Sequence, residues 1–490
     1  MTRVPAVVVL LGLLAPISSA SAAERPWTEV SSDHFIIRAE AGEKPARSTL
    51  WAFEQLRTAM KTIWPWVGVD LDRPVMVLLV KDEGGMKMLA PQYWEERGSV
   101  HPTGVFVGGV DRHYIALRAD AQFDDRQGIN PYRNAYFAYV TLVLQNGLKV
   151  PLPLWFQRGI AEVMSNTIVR DKYLELGRVL PGHLQRLRSS SRMDLATLVS
   201  LDRQTLGNDA ERTASFDAEA WAFVHYLLFS HQGMYLPKMS QFMSTLVEGK
   251  SAPQAFELAF GSVNDIGNGF AQYINGTLFN YSRVDADLKI SADGFAMRQL
   301  SLADTVATRG GFHAAMRRLT EARADVAAAR AYELSASSFD VEGIVLDADG
   351  KGPEARAAFL RAVDLGSTNF WSYYRAATLT SPADNAQRPH ISELLERAVA
   401  LAPRYAFARA RLADMKLAAG APDAAVPLAQ RAVELDPGIV SHRLTFARAL
   451  WAAGRKREAL GQAREALAMS RSDAERQASQ RLVDTYASAQ

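Results

Sequence analysis

Of the side chains that most often bind metals or act as nucleophiles and bases, histidine is scarce and cysteine is absent in this sequence. There is no cysteine, which excludes disulfides, thiolate metal sites and cysteine nucleophiles. The nine histidines include no pair at i+2, i+3 or i+4, the spacings that place two imidazoles beside one metal ion. No Gly-x-Ser-x-Gly elbow, phosphate-binding loop or dinucleotide glycine pattern occurs. The sequence therefore has no local motif for metal, nucleophilic or nucleotide chemistry.

One stretch nevertheless has the layout of an active-site helix pair. Residues 134–166 predict two helices joined by a proline-bounded turn over residues 149–153. The second helix begins with LWFQRGIAE over residues 154–162. On the first helix, Ala138 and Leu142 share a face because residues four apart lie one above the other.

This helix pair resembles that of the peptidase MA-like (gluzincin) domain of secreted bacterial proteins. In that family the first helix carries HExxH, often as His-Glu-Tyr-Thr-His. The second carries a run similar to Trp-Phe-Asn-Glu-Gly-Leu-Ala-Glu, whose first Glu is the third zinc ligand. Aligned on Thr141, Ala138 and Leu142 take the two His positions. Tyr139 takes the catalytic Glu position, and Arg158 takes the third-ligand position.

The chemistry of that family is missing from all four positions. Zinc in such a site needs imidazole nitrogen or carboxylate oxygen, and neither Ala138 nor Leu142 has a donor atom. Arg158 would bring a permanent cation beside a dication, and Tyr139 cannot accept a proton from a zinc-bound water as a carboxylate does. The sequence therefore predicts no catalytic residue, no metal and no cofactor here.

Glu162 takes the position of the second Glu in the family pattern, as the sole carboxylate expected near the vacated site. It is expected to pair with Arg158, four residues earlier on the same helix face, and this ion pair is favoured over a role in chemistry. Tyr139 and Arg158 either fill the vacated metal site by packing or line a remodelled pocket, with packing favoured.

Length and charge limit the class of protein. A chain of 490 residues predicts two or three domains, and 48% hydrophobic with 22% charged residues is ordinary for a globular protein. The net charge of +2 does not favour a nucleic-acid partner.

The N-terminus has the pattern of a secretory signal peptide over residues 1–22. Arg3 precedes an apolar run over residues 4–14, and small residues follow up to Ala23. No later apolar run is long enough for a transmembrane helix. The sequence predicts an exported protein, periplasmic in the first instance and secreted as the alternative, with no transmembrane segment in the mature chain.

The resemblance covers residues 24–281, for which it implies an α+β, gluzincin-like domain with a mixed sheet and helices. The pattern of apolar residues predicts the same order of elements. The predicted elements are a strand within residues 27–38, a helix at 45–64, a buried strand at 73–80, a hairpin from 104–107 and 114–117, the helix pair, and helices at 216–229, 252–261 and 264–277.

A repeat of about 34 residues follows. Ala362, Ala398, Ala432 and Ala466 recur at intervals of 36, 34 and 34 residues, each in a helix with apolar periodicity. Gly350, Gly420 and Gly454 mark the turns between helices. This pattern resembles tetratricopeptide repeats, which predicts an all-α solenoid after the first domain. Four repeats are placed at residues 336–369, 370–405, 406–439 and 440–473, with a capping helix at 474–490. Residues 282–335 are expected to be a connector, in which residues 321–334 form half of a weaker repeat as an open alternative.

The resemblance also implies partner-binding positions, because the first helix of each repeat lines a concave groove in this family. The positions carried over are Trp371, Tyr374, Phe407, Asp414, Arg448 and Trp451. Aromatic residues and Arg supply much of the energy of protein interfaces. The alternative for any one of them is packing between adjacent repeats.

These observations favour an exported, non-catalytic scaffold that binds a protein or peptide partner in the tetratricopeptide groove. One alternative is a zinc-dependent or otherwise hydrolytic peptidase of gluzincin type with displaced active-site residues. Another is a structural envelope component that binds nothing further. The sequence specifies no oligomeric state.

Overall fold

The computed structural model describes residues 24–95, 98, 100–148, 150–170, 172–285, 294–383 and 385–488. The predicted signal peptide, residues 1–22, lies outside the described residues. The described chain begins with a mixed sheet and its helices and continues as a solenoid of helix pairs. At this level the predicted order, an α+β domain followed by an all-α solenoid, is confirmed.

Two sheets form in the N-terminal domain. The larger has the strand order β4-β5-β3-β2-β1-β9, and the smaller has the order β6-β7-β8. Strands β2, β3 and β5 are parallel to one another, whereas β4 and β1 pair antiparallel at the two sides and β9 pairs antiparallel with β1. The strands are β1 (Thr28–Ser31), β2 (Phe35–Ala39), β3 (Val75–Val80), β4 (Gly104–Gly108), β5 (His113–Arg118), β6 (Ile168–Val169), β7 (Tyr173–Leu176), β8 (Ser282–Asp285) and β9 (Ala296–Gln299).

Most helices of this domain pack on one side of the larger sheet. The helices are α1 (Glu43–Ile63), α2 (Glu83–Leu89), α3 (Arg133–Asn146), α4 (Leu154–Ser165), α5 (Pro181–Ser189), α6 (Leu195–Ser200), α7 (Arg203–Leu206), α8 (Ala210–Phe229), α9 (Leu236–Val247), α10 (Ala252–Phe260) and α11 (Val263–Asn275). Central strand β3 is buried along its whole length, as its unbroken apolar run predicts. Its alternate residues Val75, Val77 and Leu79 join the core formed with these helices.

Helix α4 lies directly against α8. Gly159 allows this close approach, because a Cβ at that position would collide with the carbonyl of Ala220 and the side chain of Val224. Trp155 and Phe156, one turn earlier on α4, pack against Phe242. In the run LWFQRGIAE, the aromatic pair and the glycine therefore serve the packing of α4 against its neighbours.

The solenoid is built from helices α12 to α22. They are α12 (Leu302–Ala315), α13 (Leu319–Tyr332), α14 (Ala336–Ala348), α15 (Gly352–Asp364), α16 (Phe370–Thr378), α17 (Arg388–Leu401), α18 (Ala406–Ala418), α19 (Pro422–Leu435), α20 (Val440–Ala452), α21 (Lys456–Met469) and α22 (Asp473–Ser488). Turns of three residues join the helices of four pairs, and residues 379–387 join those of the pair α16 and α17. The four predicted repeats each contain one helix pair, and α22 follows the last pair as the predicted cap.

Left-handed glycines end the first helix of three pairs. Gly350, Gly420 and Gly454 have φ values of 76°, 73° and 78°, which side chains other than glycine adopt at a cost. In the first pair, Arg317 takes the same conformation with φ 62°. Five residues after the left-handed residue, an alanine is fully buried: Ala322 follows Arg317 in the first pair, and Ala355 follows Gly350 in the second.

Residues 282–335 contain more structure than the predicted connector. Strand β8 pairs with β7, and β9 pairs with β1, so the N-terminal domain continues past residue 281. Helices α12 and α13 then form a complete pair rather than half of one. Phe312 of α12 joins Trp27 and Leu78 in a second core, on the face of the sheet opposite to α1. Helix α12 therefore packs the first pair of the solenoid against the sheet of the N-terminal domain.

Among the described residues, no helix combines the length and the apolar character that crossing a membrane requires.

Candidate functional site

The positions aligned with zinc ligands lie where α3 and α4 pack together. Ala138 and Leu142 are half-buried on α3. Arg158 donates from Nε and Nη2 to the two carboxylate oxygens of Asp217 on α8, and its guanidinium lies 5.3 Å from the centre of the Phe137 ring. Burial acts to lower the pKa of Arg158, but the hydrogen bonds and charge of Asp217 raise it. The third-ligand position thus holds a cation that a carboxylate already neutralises.

Tyr139, at the position of the catalytic Glu, is buried in an aromatic cluster. Its ring lies 5.5 Å from Phe35 and 5.8 Å from Phe53. Burial raises its pKa well above the ordinary value for tyrosine. The side chain also borders a cavity of roughly 550 Å³ that reaches Thr368 and Arg404 of the solenoid. Tyr139 therefore serves mainly in packing, and a phenol with a raised pKa is a poor general base.

Glu162 does not pair with Arg158, contrary to the sequence-based expectation. It accepts from Arg133 at 2.6 Å, and His183 Nε2 lies 3.1 Å from the same oxygen. Burial acts to raise the pKa of Glu162, but the hydrogen bond from His183 and the charge of Arg133 outweigh it and lower the pKa. Arg158 pairs instead with Asp217, whose two carboxylate oxygens accept hydrogen bonds from Nε and Nη2 of the guanidinium.

The residues at the aligned positions do not fit a zinc ion. Ala138 and Leu142 supply no donor atom, and Arg158 is held by Asp217. In the part of the chain that the structure describes, no group of three or more His, Asp or Glu side chains could hold a metal ion. We therefore derive no catalytic step through zinc.

The second candidate site is the face formed by the first helices of the repeats, α16, α18 and α20. Trp371 and Tyr374 of α16 lie 5.4 Å apart and pack around Tyr405, which precedes α18. Burial of Trp371 is deep enough that its indole Nε1 has neither solvent nor a hydrogen-bond partner. These two predicted groove residues therefore pack between adjacent repeats along much of their surface.

Phe407 on α18 is the most exposed of the predicted aromatic positions, at 40%. Its ring packs nearly perpendicular to that of His442 on α20, with 4.7 Å between the ring centres, and its centre lies 5.8 Å from that of Tyr405. Burial lowers the pKa of His442 to about 4, so this imidazole is neutral at ordinary pH. Phe407 thus offers an apolar surface at the centre of the face.

The other predicted positions contact neighbouring helices. Asp414 of α18 accepts from Arg448 of α20 at 2.8 Å. Trp451, one turn further along α20, stacks on Tyr486 of the capping helix with 4.1 Å between ring centres. Arg448 stays about half exposed, whereas Trp451 is largely used in holding the cap.

The N-terminal domain covers the same face on the first two helix pairs. Helices α12, α14 and α18 are each followed by a left-handed turn residue, and Asp414 on α18 lies six residues before the one of its own repeat. Gly311 on α12 and Ile344 on α14 occupy the same position in their pairs. Gly311 lies against the hydroxyl of Tyr114, where a Cβ would be 2.7 Å from that oxygen. Ile344 faces the β4–β5 turn at Asp111 across a cavity of roughly 210 Å³. Over α12 and α14 the face therefore lies against the N-terminal domain, and the residues before β3 also border the solenoid at Arg404, just before α18.

A buried polar network fixes this contact. Asp111 accepts from Asn369 Nδ2 at 2.9 Å, which ties the β4–β5 turn to the start of α16. Asp340 of α14 accepts from the hydroxyls of Ser367 and Ser372. Burial raises the pKa of Asp340 to about 6 in spite of these hydrogen bonds. The network makes the position of the domain on the solenoid specific.

Several residues of this region were not predicted. Tyr405 and His442 join the aromatic residues, and Arg411 and Thr445 lie on the same face as Phe407 and Arg448. The spacing contains the necessary information, because Arg411 follows Phe407 by four residues and Thr445 precedes Arg448 by three. No spacing within one helix predicts the hydrogen bonds of Asp340, because its partners Ser367 and Ser372 lie about 30 residues further along the chain.

A scan against models of known protein families and a search of curated proteins gave no match to this chain. Solved structures similar to part of it include YrrB, described as a TPR protein with an unusual peptide-binding site, at TM-score 0.31 and 19% identity over 36% of this chain and 90% of YrrB. MamA matches at TM-score 0.29 and 20% identity over 34% of this chain and 91% of its own. Pseudomonas aeruginosa PilF matches at TM-score 0.30 and 14% identity over 38% of this chain and 89% of its own. The helix pairs of this chain, rather than these similarities, define its solenoid.

Proposed function

We propose that this chain is an exported, non-catalytic scaffold protein in which a degenerate gluzincin-like domain carries a tetratricopeptide solenoid. The solenoid binds a protein or peptide partner on the face formed by α16, α18 and α20. The observation that carries the proposal is the contrast along that face. It is occupied by the protein's own domain over α12 and α14, and it is open around Phe407 and Arg448.

Three features support the gluzincin-like ancestry of the N-terminal domain. Helices α3 and α4 follow one another with a short proline-containing turn, and α4 begins with the aromatic pair Trp155-Phe156. Strand β4 forms an antiparallel edge of the sheet beside α3, close enough that a Cβ at Gly104 would touch Ala135. Arg158 and Asp217 then replace the chemistry of the family with an ion pair.

In this proposal the N-terminal domain is a platform. It buries Phe312 of α12 and holds the start of α16 through Asn369, which fixes the orientation of the helices that bind the partner. A rigid groove lowers the entropy cost of binding an extended segment. Export rests on the predicted signal peptide at residues 1–22.

Peptide display tests the location of the site. A library of linear peptides is selected on the purified chain, and enriched peptides are titrated against Phe407→Ala/Arg448→Ala. We expect at least about a tenfold loss of affinity, because an exposed aromatic anchor and a guanidinium are removed together. The control Leu258→Ala/Arg464→Ala changes an exposed apolar residue and an exposed Arg outside the groove, and it should bind as the wild type does. Equal binding by the groove variant would place the site elsewhere.

Metal analysis tests the non-catalytic part. The purified chain is dialysed and its zinc content measured, with the expectation of far less than one zinc per chain. Stoichiometric zinc that survives dialysis would overturn the degenerate assignment and return the chain to the hydrolases.

A further inference from the structure

The open face carries more positive charge than its own carboxylates neutralise. Phe407, Arg411 and Asp414 follow one another at i, i+4 and i+7 on α18, so they lie along one side of that helix. Thr445 and Arg448 share one side of α20, and both contact Asp414. The two sides therefore adjoin and form one surface.

Two of the cations on this face are already paired. Arg448 donates to Asp414 at 2.8 Å, and Arg375 of α16 donates from Nε to Asp347 at 2.7 Å. Each of them shares its charge with a carboxylate of the protein, although Arg448 stays half exposed.

Arg411 is different. Across the described ranges, its half-buried side chain has no carboxylate within ion-pair distance and no acceptor within hydrogen-bond distance. Its charge is felt on α16: burial raises the pKa of Tyr374, and the positive charges of Arg375 and Arg411 act against that rise. A guanidinium with unused donors thus lies one helical turn along α18 from the exposed ring of Phe407.

The protein itself limits the length of the open face. The β4–β5 turn covers the face over α14, and Trp451 stacked on Tyr486 bounds it at the capping helix. Neighbouring helices pack about 8–10 Å apart, so three of them present about 20 Å. An extended chain spans this distance with about six residues.

We infer that the partner is an extended segment of about six residues that places one Asp or Glu side chain on Arg411 and an apolar side chain on Phe407. A guanidinium binds a carboxylate with two parallel hydrogen bonds, which suits Arg411 to this ligand better than to a neutral or basic one. This inference rests on the proposed function, since it specifies the partner of the same face.

The test uses the full chain and the linear peptides enriched on it. We expect enrichment of Asp or Glu near an apolar residue. Each enriched peptide is then compared by fluorescence anisotropy with its counterpart in which Asp and Glu become Asn and Gln. The acidic peptide should bind about tenfold more tightly, because it adds charged hydrogen bonds to Arg411. This advantage should shrink between 50 mM and 500 mM NaCl.

Variants assign the effect to the one arginine. Arg411→Gln should remove the preference for the acidic peptide and leave the affinity for the neutral counterpart unchanged. Arg464→Gln removes the same charge from the exposed side of α21 and should leave both affinities unchanged. Circular dichroism spectra and melting temperatures establish that both variants are folded.

The remaining outcomes separate this inference from the proposed function. Neutral or basic peptides that bind in a Phe407-dependent manner would overturn the acidic partner and leave the groove function standing. An acidic preference that survives Arg411→Gln would overturn the assigned contact. The absence of any Phe407-dependent peptide would overturn both.

Discussion

The ion pair of Arg158 and Asp217 gives Arg158 a structural role between α4 and α8. A half-buried guanidinium needs acceptors, and Asp217 supplies two from the neighbouring helix α8. The side chain of Asp217 is only 12% exposed, so the pair is largely shielded from water and from salt.

Removing Asp217 should therefore destabilise the N-terminal domain. We expect Asp217→Ala to lower the free energy of unfolding by about 1–3 kcal/mol, because Arg158 loses its acceptors while still half-buried. Glu458→Ala, which breaks an exposed pair with Arg455, should change it by less than about 0.5 kcal/mol. Urea denaturation measures both, and adding Arg158→Met to Asp217→Ala should recover part of the loss. Equal midpoints for Asp217→Ala and wild type would contradict this account.

Glu219 on α8 gives a prediction about pH. Burial raises its pKa to about 7, although it accepts from the backbone N–H of Met193 and lies near Arg192. A raised carboxyl pKa means that the folded state favours the protonated form of Glu219. The contribution of this group to folding stability is therefore complete below the unfolded pKa of about 4.5 and is lost as the pH rises to 7. In Glu219→Gln, which keeps the acceptor for Met193, that loss disappears. Relative to wild type, the variant should gain up to about 2–3 kcal/mol between pH 4.5 and 7.5. Urea midpoints across this range measure the gain, and parallel pH profiles would contradict it.

At the residue scale, the sequence predicts the loss of chemistry but not the new partners. Ala138 and Leu142 lack donor atoms in any fold, so their inability to bind zinc follows from residue type alone. Glu162 was assigned to Arg158 by helix spacing, yet it pairs with Arg133 and His183 from other elements. The spacing of residues along one helix cannot predict an ion pair with a side chain of another helix.

At the element scale, the repeats were predictable because each one encodes its own turn and contacts. A left-handed glycine ends the first helix, and a buried small residue follows where two helices approach. The first pair escaped prediction because Arg317 stands where the other pairs have glycine or a longer loop. Strand β9 escaped because its four exposed residues have no apolar pattern.

Two glycines of the last pair should respond in opposite directions to the same substitution. At Gly454 an added Cβ meets nothing, but φ of 78° makes Gly454→Ala cost about 1 kcal/mol through backbone strain. At Gly461, inside α21, the space is also open and the backbone is helical. Gly461→Ala should therefore stabilise by about 0.5–1 kcal/mol. Thermal denaturation of both variants decides the matter, since shifts of the same sign would rule out the conformational explanation.

At the scale of the whole molecule, the docking of the domain onto the solenoid is the feature that sequence could not supply. The contacts join residues far apart in the chain, such as Asp111 with Asn369 and Trp27 with Thr305. No periodicity relates such residues, because the apolar spacing of each helix or strand carries no information about the distant element that it contacts. The open half of the groove is a consequence of this docking, so its limits could be found only from the structure.

We expect the second core to make the two parts unfold together. Phe312 of α12 is fully buried, and its ring meets Tyr114 of β5 edge-on with 6.2 Å between centres. Seven of the nine tryptophans precede residue 300, so tryptophan emission reports chiefly on the N-terminal domain, whereas circular dichroism at 222 nm also follows the solenoid helices. The two signals should give one shared urea transition.

Phe312→Ala should shift that shared transition by about 3–5 kcal/mol, because it leaves a cavity between the sheet and α12. Phe407→Ala removes a side chain of the same type that is 40% exposed, and it should cost far less. If the domains were independent, Phe312→Ala would instead separate the two signals, with the tryptophan transition moving and the solenoid transition staying in place. Coincident transitions in both proteins would show that the first helix pair couples the unfolding of the sheet to that of the solenoid.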